Sequence, residues 1–158
     1  MLTVAALLVA ALPKLARADR ASGPTTLAVV VSTDSKTVEL SSHQLALIFR
    51  AQPVNGPSGK RLVAFNHPPR TPDRVGFDRV MLGMTPEEVA RYWIDRRIRD
   101  GARAPRTVDS VTTLKRVVQR LPDAVAYLNV EQVDGDLRIL AVDGKRPGEP
   151  GYPVVYRQ

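Results

Sequence analysis

The segment Asn66 to Arg79, NHPPRTPDRVGFDR, holds the densest set of groups able to do chemistry. Pro68 and Pro69 forbid a helix there, and Thr71 followed by Pro72 reads as an N-cap with proline at the first helical position. A helix start exposes unsatisfied N–H groups and about half a positive charge, so it attracts anions. Thr71 adds a hydroxyl donor. Arg74, one turn in, carries a fork that matches phosphate or carboxylate, and Arg70 lies just before the cap. Together Arg70, Thr71 and Arg74 form a candidate oxyanion site, with Ser110 as a second hydroxyl at the start of another helix. The bland alternative stands beside it: Thr71 and Ser110 cap their own helices, and Arg74 is a solvated arginine. Asp73, in the same first turn, already complements the helix dipole and would repel an anion.

Other chemistry finds little support. A metal site wants clustered His, Cys or carboxylates, and His43 and His67 are the only histidines. His67, between Asn66 and two prolines, reads as a loop histidine, and His43 as an exposed residue of a first helical turn. The absence of cysteine excludes a disulfide framework, a zinc–thiolate site and a cysteine nucleophile. No G-x-S-x-G elbow occurs, and Asn55-Gly56-Pro57-Ser58-Gly59 lacks the lysine of a phosphate-binding P-loop. Asp73 and Asp78 carry no sign of acid–base pairing. The expectation is a protein that is not an enzyme and uses no cofactor.

The elements that would position these residues alternate. Leu27 to Val31 (LAVVV) reads as a strand buried on both faces. Ser41 and Gln44 have capping-box spacing ahead of a helix burying Leu45, Ile48 and Phe49. Arg61 to Phe65 reads as a strand. The helix after Thr71 presents Val75, Val80 and Met81 inward, with Phe77 nearby, and stops near Gly83. Thr85-Pro86-Glu87-Glu88 opens another helix that runs to about Arg99 and buries Val89, Trp93 and Ile94. Asp109 or Ser110 caps a fourth, with Val111, Leu114, Val117, Val118 and Leu121 apolar. Ala124 to Val130 and Leu137 to Val142 are strands, joined as a hairpin at Asp134-Gly135. Asp143 to Gln158 is a Pro/Gly-rich tail. Strands and helices in this order predict a mixed, mostly covered α/β sheet.

The 158 residues suit one domain of ordinary globular composition, 44% hydrophobic and 25% charged. Val4 to Leu12 is apolar, and Ala16-Arg17-Ala18 follows as a small-x-small cleavage signal. The pattern predicts a cleavable signal peptide over residues 1–18, a mature domain over 19–158, a periplasmic location and no stable membrane insertion after cleavage. Cleavage leaves 21 of the 23 basic residues against 16 acids, a net of +5. That charge steers anions. Nucleic acid is not an expected partner: there is no helix-turn-helix signature, and aromatic residues make up only 5%.

The order of four segments resembles the substrate-binding proteins of phosphate ABC transporters. They are AVVVSTDSKTVELSSHQLALIF (Ala28 to Phe49), RLVAFNHPPRTPDRVGFDRVMLG (Arg61 to Gly83), LPDAVAYLNV (Leu121 to Val130) and VDGKRPGEPGYPVVYR (Val142 to Arg157). The resemblance implies a single lobe of the type II periplasmic-binding-protein-like fold, a mixed sheet flanked by helices. It places the family's phosphate loop on Arg70, Thr71 and Arg74, and a second helix start on Ser110. It implies inorganic phosphate or a similar small anion as ligand, and a transporter permease or another envelope protein as partner. Two departures favour a different outcome. Pro-Arg-Thr-Pro replaces the family's Gly-Ser-Gly-Thr, and the family's N-terminal lobe segment has no counterpart. They point to a ligand-free protein-interaction or regulatory module that keeps the fold.

Overall fold

The computed structural model describes residues 23–157, so the signal-peptide expectation falls outside the described residues. Strand β1 (Thr25–Ser32) is the organising element. Its residues Leu27 to Val31 are apolar without interruption, and strand geometry sends alternate side chains to opposite faces. Leu27, Val29 and Val31 enter one core cluster; Ala28 and Val30 enter another. The sheet is therefore covered on both sides, as the unbroken apolar run requires.

The main sheet has the order β4-β3-β5-β1-β6, with β8 also pairing with β1. Strands β3 (Val63–Asn66), β4 (Arg106–Thr107) and β5 (Ala124–Asn129) run parallel to one another, while β1 is antiparallel to β5 and to β6 (Leu137–Ile139). A short parallel pair, β2 (Glu39–Leu40) with β7 (Ala141–Val142), lies beside it. The expected hairpin between β5 and β6 does not form. Asn129 pairs with Leu27 and Leu137 with Ser32, so β1 is inserted between the two strands and residues 130–136 run from one end of β1 to the other. Asp134-Gly135 does make a turn. Turn chemistry is local, however, and a strand that is apolar on both faces needs neighbours at both edges.

The tail is structural as well. Strand β8 (Val155–Tyr156) pairs with Thr25 and Thr26, and Tyr152, Val154 and Tyr156 are buried in the first core. Tyr152 donates its hydroxyl to the Leu27 carbonyl at 2.9 Å, and burial pushes that phenol up to about 12.

Helix α1 (Ser42–Phe49) has the expected capping box, with Ser41 and Gln44 satisfying each other's backbone N–H groups, and it buries Leu45, Ile48 and Phe49. Helix α2 (Pro72–Phe77) lasts only six residues before passing into a π-helical turn, Asp78–Leu82. The wider turn rotates the later side chains relative to an α-helix. Arg74, Phe77, Asp78, Met81 and Leu82 consequently face inward, while Val75 is half-buried and Val80 faces out, contrary to the α-helical expectation. Helix α3 (Pro86–Asp100) starts at a Thr85–Glu88 capping box and ends at Gly101 in the left-handed region. It buries Val89 and half-buries Trp93, but Ile94 is exposed. Helix α4 (Val111–Arg120) lays Leu114 and Val118 on the second face of β1.

Candidate functional site

Strand β3 delivers the chain into the turn that precedes α2. Pro68 and Pro69 keep that turn out of helical geometry, and Arg70 adopts the left-handed region at φ 69°. The turn then closes on itself. The Thr71 hydroxyl donates to the Pro68 carbonyl at 2.9 Å, and the Thr71 N–H points to the same oxygen at 3.4 Å. Thr71 is thus the backbone N-cap of α2 without capping it through its side chain.

Arg74 does not reach back to the turn's solvent side. It is only 7% exposed. Its Nε donates to Asp78 Oδ2 at 2.5 Å, and its Nη1 donates to the His67 carbonyl at 3.2 Å. Asp78 is equally buried, and its second oxygen, Oδ1, has no hydrogen-bond partner. Burial raises the Asp78 carboxyl above its ordinary range, and the attraction of Arg74 only partly opposes this. A buried polar network continues beneath. His67 Nε2 lies 2.8 Å from the Tyr127 carbonyl, so that nitrogen carries the hydrogen. The Tyr127 hydroxyl donates to Asn66 Oδ1 at 2.6 Å. Burial holds the Tyr127 phenol well above its usual range, and its ring stacks on Phe77 at 3.9 Å.

Above this network an open hollow of about 370 Å³ lies between the starts of α2 and α4. His67, Thr71, Asp73, Asp109, Asn129 and Tyr156 line it, among others, and no lysine or arginine does. Asp73 accepts a hydrogen bond from the Tyr156 hydroxyl at 2.8 Å. Two carboxylates in the wall set the local field against an anion. Of the four residues singled out in the sequence, Thr71 alone lines the hollow. Arg70 is exposed outside its lining, Arg74 is turned into the core, and Ser110 caps α4 by accepting from the Thr113 N–H at 3.2 Å. Sequence reasoning missed Tyr156, Asp109 and Asn129, which reach the hollow through tertiary packing. It also passed over Asp78 as the partner of Arg74, although the i,i+4 spacing was there to read. Among the described residues no group of three His, Cys, Asp or Glu is placed to hold a metal ion. No described helix is long and apolar enough to cross a membrane.

A mixed sheet with helices on both faces matches a single lobe of the periplasmic-binding-protein-like fold. Phosphate receptors are among the solved structures it matches. An ABC-type phosphate transport receptor from Vibrio cholerae aligns with a TM-score of 0.70 at 20% identity, over 85% of this chain and 55% of that one. PstS from Borrelia burgdorferi aligns at 0.65 with 16% identity, over the same shares. A putative phosphate ABC transporter substrate-binding protein with bound phosphate, from Clostridium perfringens, aligns at 0.59 with 18% identity, over 77% of this chain and 46% of that one. The chain spans about half the length of these proteins, and at such identities the likeness is one of fold. No family model matches the sequence, and no curated protein matches it.

Proposed function

We propose that this chain is a single-lobe, substrate-binding-protein-type module of the cell envelope whose retained task is to hold another protein, without catalysis and without a free phosphate ligand of its own. The observation that carries the reading is the commitment of Arg74 to Asp78 and the His67 carbonyl inside the core. An anion at the start of α2 would meet Asp73 and Asp109 in place of a guanidinium. The envelope location rests on the N-terminal sequence pattern, and a transporter permease is one candidate partner.

A second reading keeps the anion. The hollow stands at the two helix starts singled out for oxyanion binding, with Thr71 in its wall and Arg70 beside Thr71 in sequence. On that reading phosphate, sulfate or a carboxylate binds weakly until a second protein supplies the missing wall.

Calorimetry separates the two. The protein-holding reading expects no saturable heat with millimolar phosphate, sulfate or small carboxylates, and recovery from envelope extract of a stoichiometric partner that persists in Arg70→Ala and Thr71→Ala variants. Saturable heat with phosphate that disappears in Arg70→Ala would replace it with the second reading.

A further inference from the structure

Helix α3 stands apart from the rest of the lobe in burial and in charge. Val89 is its one buried residue, and its outward side carries Ile94 at 60% exposure and Ile98 at 81%. Ala90, Ile94 and Ile98 recur every fourth residue, so they form one continuous ridge. Beside the ridge runs a second exposed row: Glu88, Arg91, Asp95 and Arg99. Their spacing of three and four residues puts them on one flank. The signs along the row alternate, negative, positive, negative, positive.

We propose that this face pairs antiparallel with the same face of a second copy of the chain. Reversing the row turns its sign order into positive, negative, positive, negative. Antiparallel apposition about a dyad near Trp93 therefore sets Glu88 against the partner copy's Arg99, and Arg91 against the partner copy's Asp95, each contact occurring twice. Parallel apposition would set like charge on like charge. In the same register Ile94 falls between Ala90 and Ile94 of the other copy, and the small Ala90 lets the helices approach closely. Arg91, Asp95 and Arg99 enter none of the described ion pairs, although Arg91 acts on the Glu88 carboxylate of its own helix, while Arg96 is already engaged with Asp100 and Tyr92. Glu88 accepts from the Thr85 N–H in its capping box.

Charge selects a second copy over other occupants. The helix sequence PEEVARYWIDRRIRD holds four acids and four arginines and is neutral, within a chain of net charge +7. Copies of a basic chain repel one another, and α3 is a place where that repulsion is lifted. An anionic membrane would be met by a net-basic helix with a broad apolar face, and two isoleucines on a neutral helix offer neither. One helix pair buries less than the ~800 Å² per partner of a standard interface, so the dimer is weak, with a Kd on the order of 100 μM. This surface shares no lining residue with the hollow at α2, and the inference does not rest on how that hollow is used.

Sedimentation equilibrium of the purified chain, from about 10 μM to about 1 mM, tests it. The expected result is a reversible monomer–dimer equilibrium, weakened at least about tenfold by Ile94→Asp, whose site is exposed enough to leave the fold intact. Arg91→Glu and Asp95→Arg should each weaken the dimer, and the double variant should restore it. The row also permits ion pairs within one helix. The double variant keeps the 91–95 pair within one helix in reversed form and loses those to Glu88 and Arg99, so circular dichroism of each variant reads helix stability and sedimentation reads the contact between copies. A monomer across the whole range would overturn the proposal. So would association indifferent to Ile94→Asp, or a double variant no tighter than the single ones.

Discussion

Arg74 and Asp78 decide what the loop after β3 can do. Both are buried, so each depends on the other for its charge. Removing one partner of a buried pair leaves an uncompensated charge. Arg74→Gln should cost about 3 kcal/mol of unfolding free energy at neutral pH, read from urea denaturation. Asp78 carries a signature in pH. The folded-state carboxyl of Asp78 is raised above 3.8 by burial. At pH values between its unfolded and its raised folded pKa, folding therefore takes up a proton. The contribution of this group is largest below the unfolded value and declines as pH rises through the folded one. Asp78→Asn should flatten that part of the stability–pH curve, and an unchanged curve would show that Asp78 titrates normally. A solvated Arg74 was one reading of the sequence and an anion ligand the other. The i,i+4 carboxylate was the signal for a third outcome, but only the burial of this helix face turns that spacing into a lock.

Elements with strong local signatures formed where the sequence put them. The capping boxes at Ser41–Gln44 and Thr85–Glu88, and the double-sided apolar strand at Leu27 to Val31, need only local chemistry. Elements that depend on distant partners were not legible. The π-helical turn at Asp78–Leu82 moved Val80 outward, and the Pro/Gly-rich tail became core because Tyr152, Val154 and Tyr156 fill space beside β1 and α2. Contact between tail and helix is tightest at Gly76. A Cβ placed there would lie 2.3 Å from Cγ of Tyr156. Gly76→Ala should therefore destabilise the protein by about 2 kcal/mol, because a buried ring and the β8 backbone must move. Thermal melting checks this. A gain in stability, as alanine gives in an unobstructed helix, would mean that the tail does not seat on α2.

The described residues form one lobe of the fold, and the chain spans about half the length of the phosphate receptors it matches. That much was visible in the order of the four segments from Ala28 to Arg157. The wall of the hollow was not, since Asp73, Asp109, Asn129 and Tyr156 come from four separate stretches of chain. The lining of the hollow holds two carboxylates, Asp73 and Asp109, and no lysine or arginine, which is the ground of the proposed protein-holding role. The most direct measurement is the arginine Nε–H region of the NMR spectrum during titration with inorganic phosphate. With Arg74 locked on Asp78, its Nε–H resonance should exchange slowly with water and stay in place up to millimolar phosphate. A saturable shift of that resonance, assigned by its disappearance in Arg74→Lys, would place the guanidinium on the anion and contradict the account.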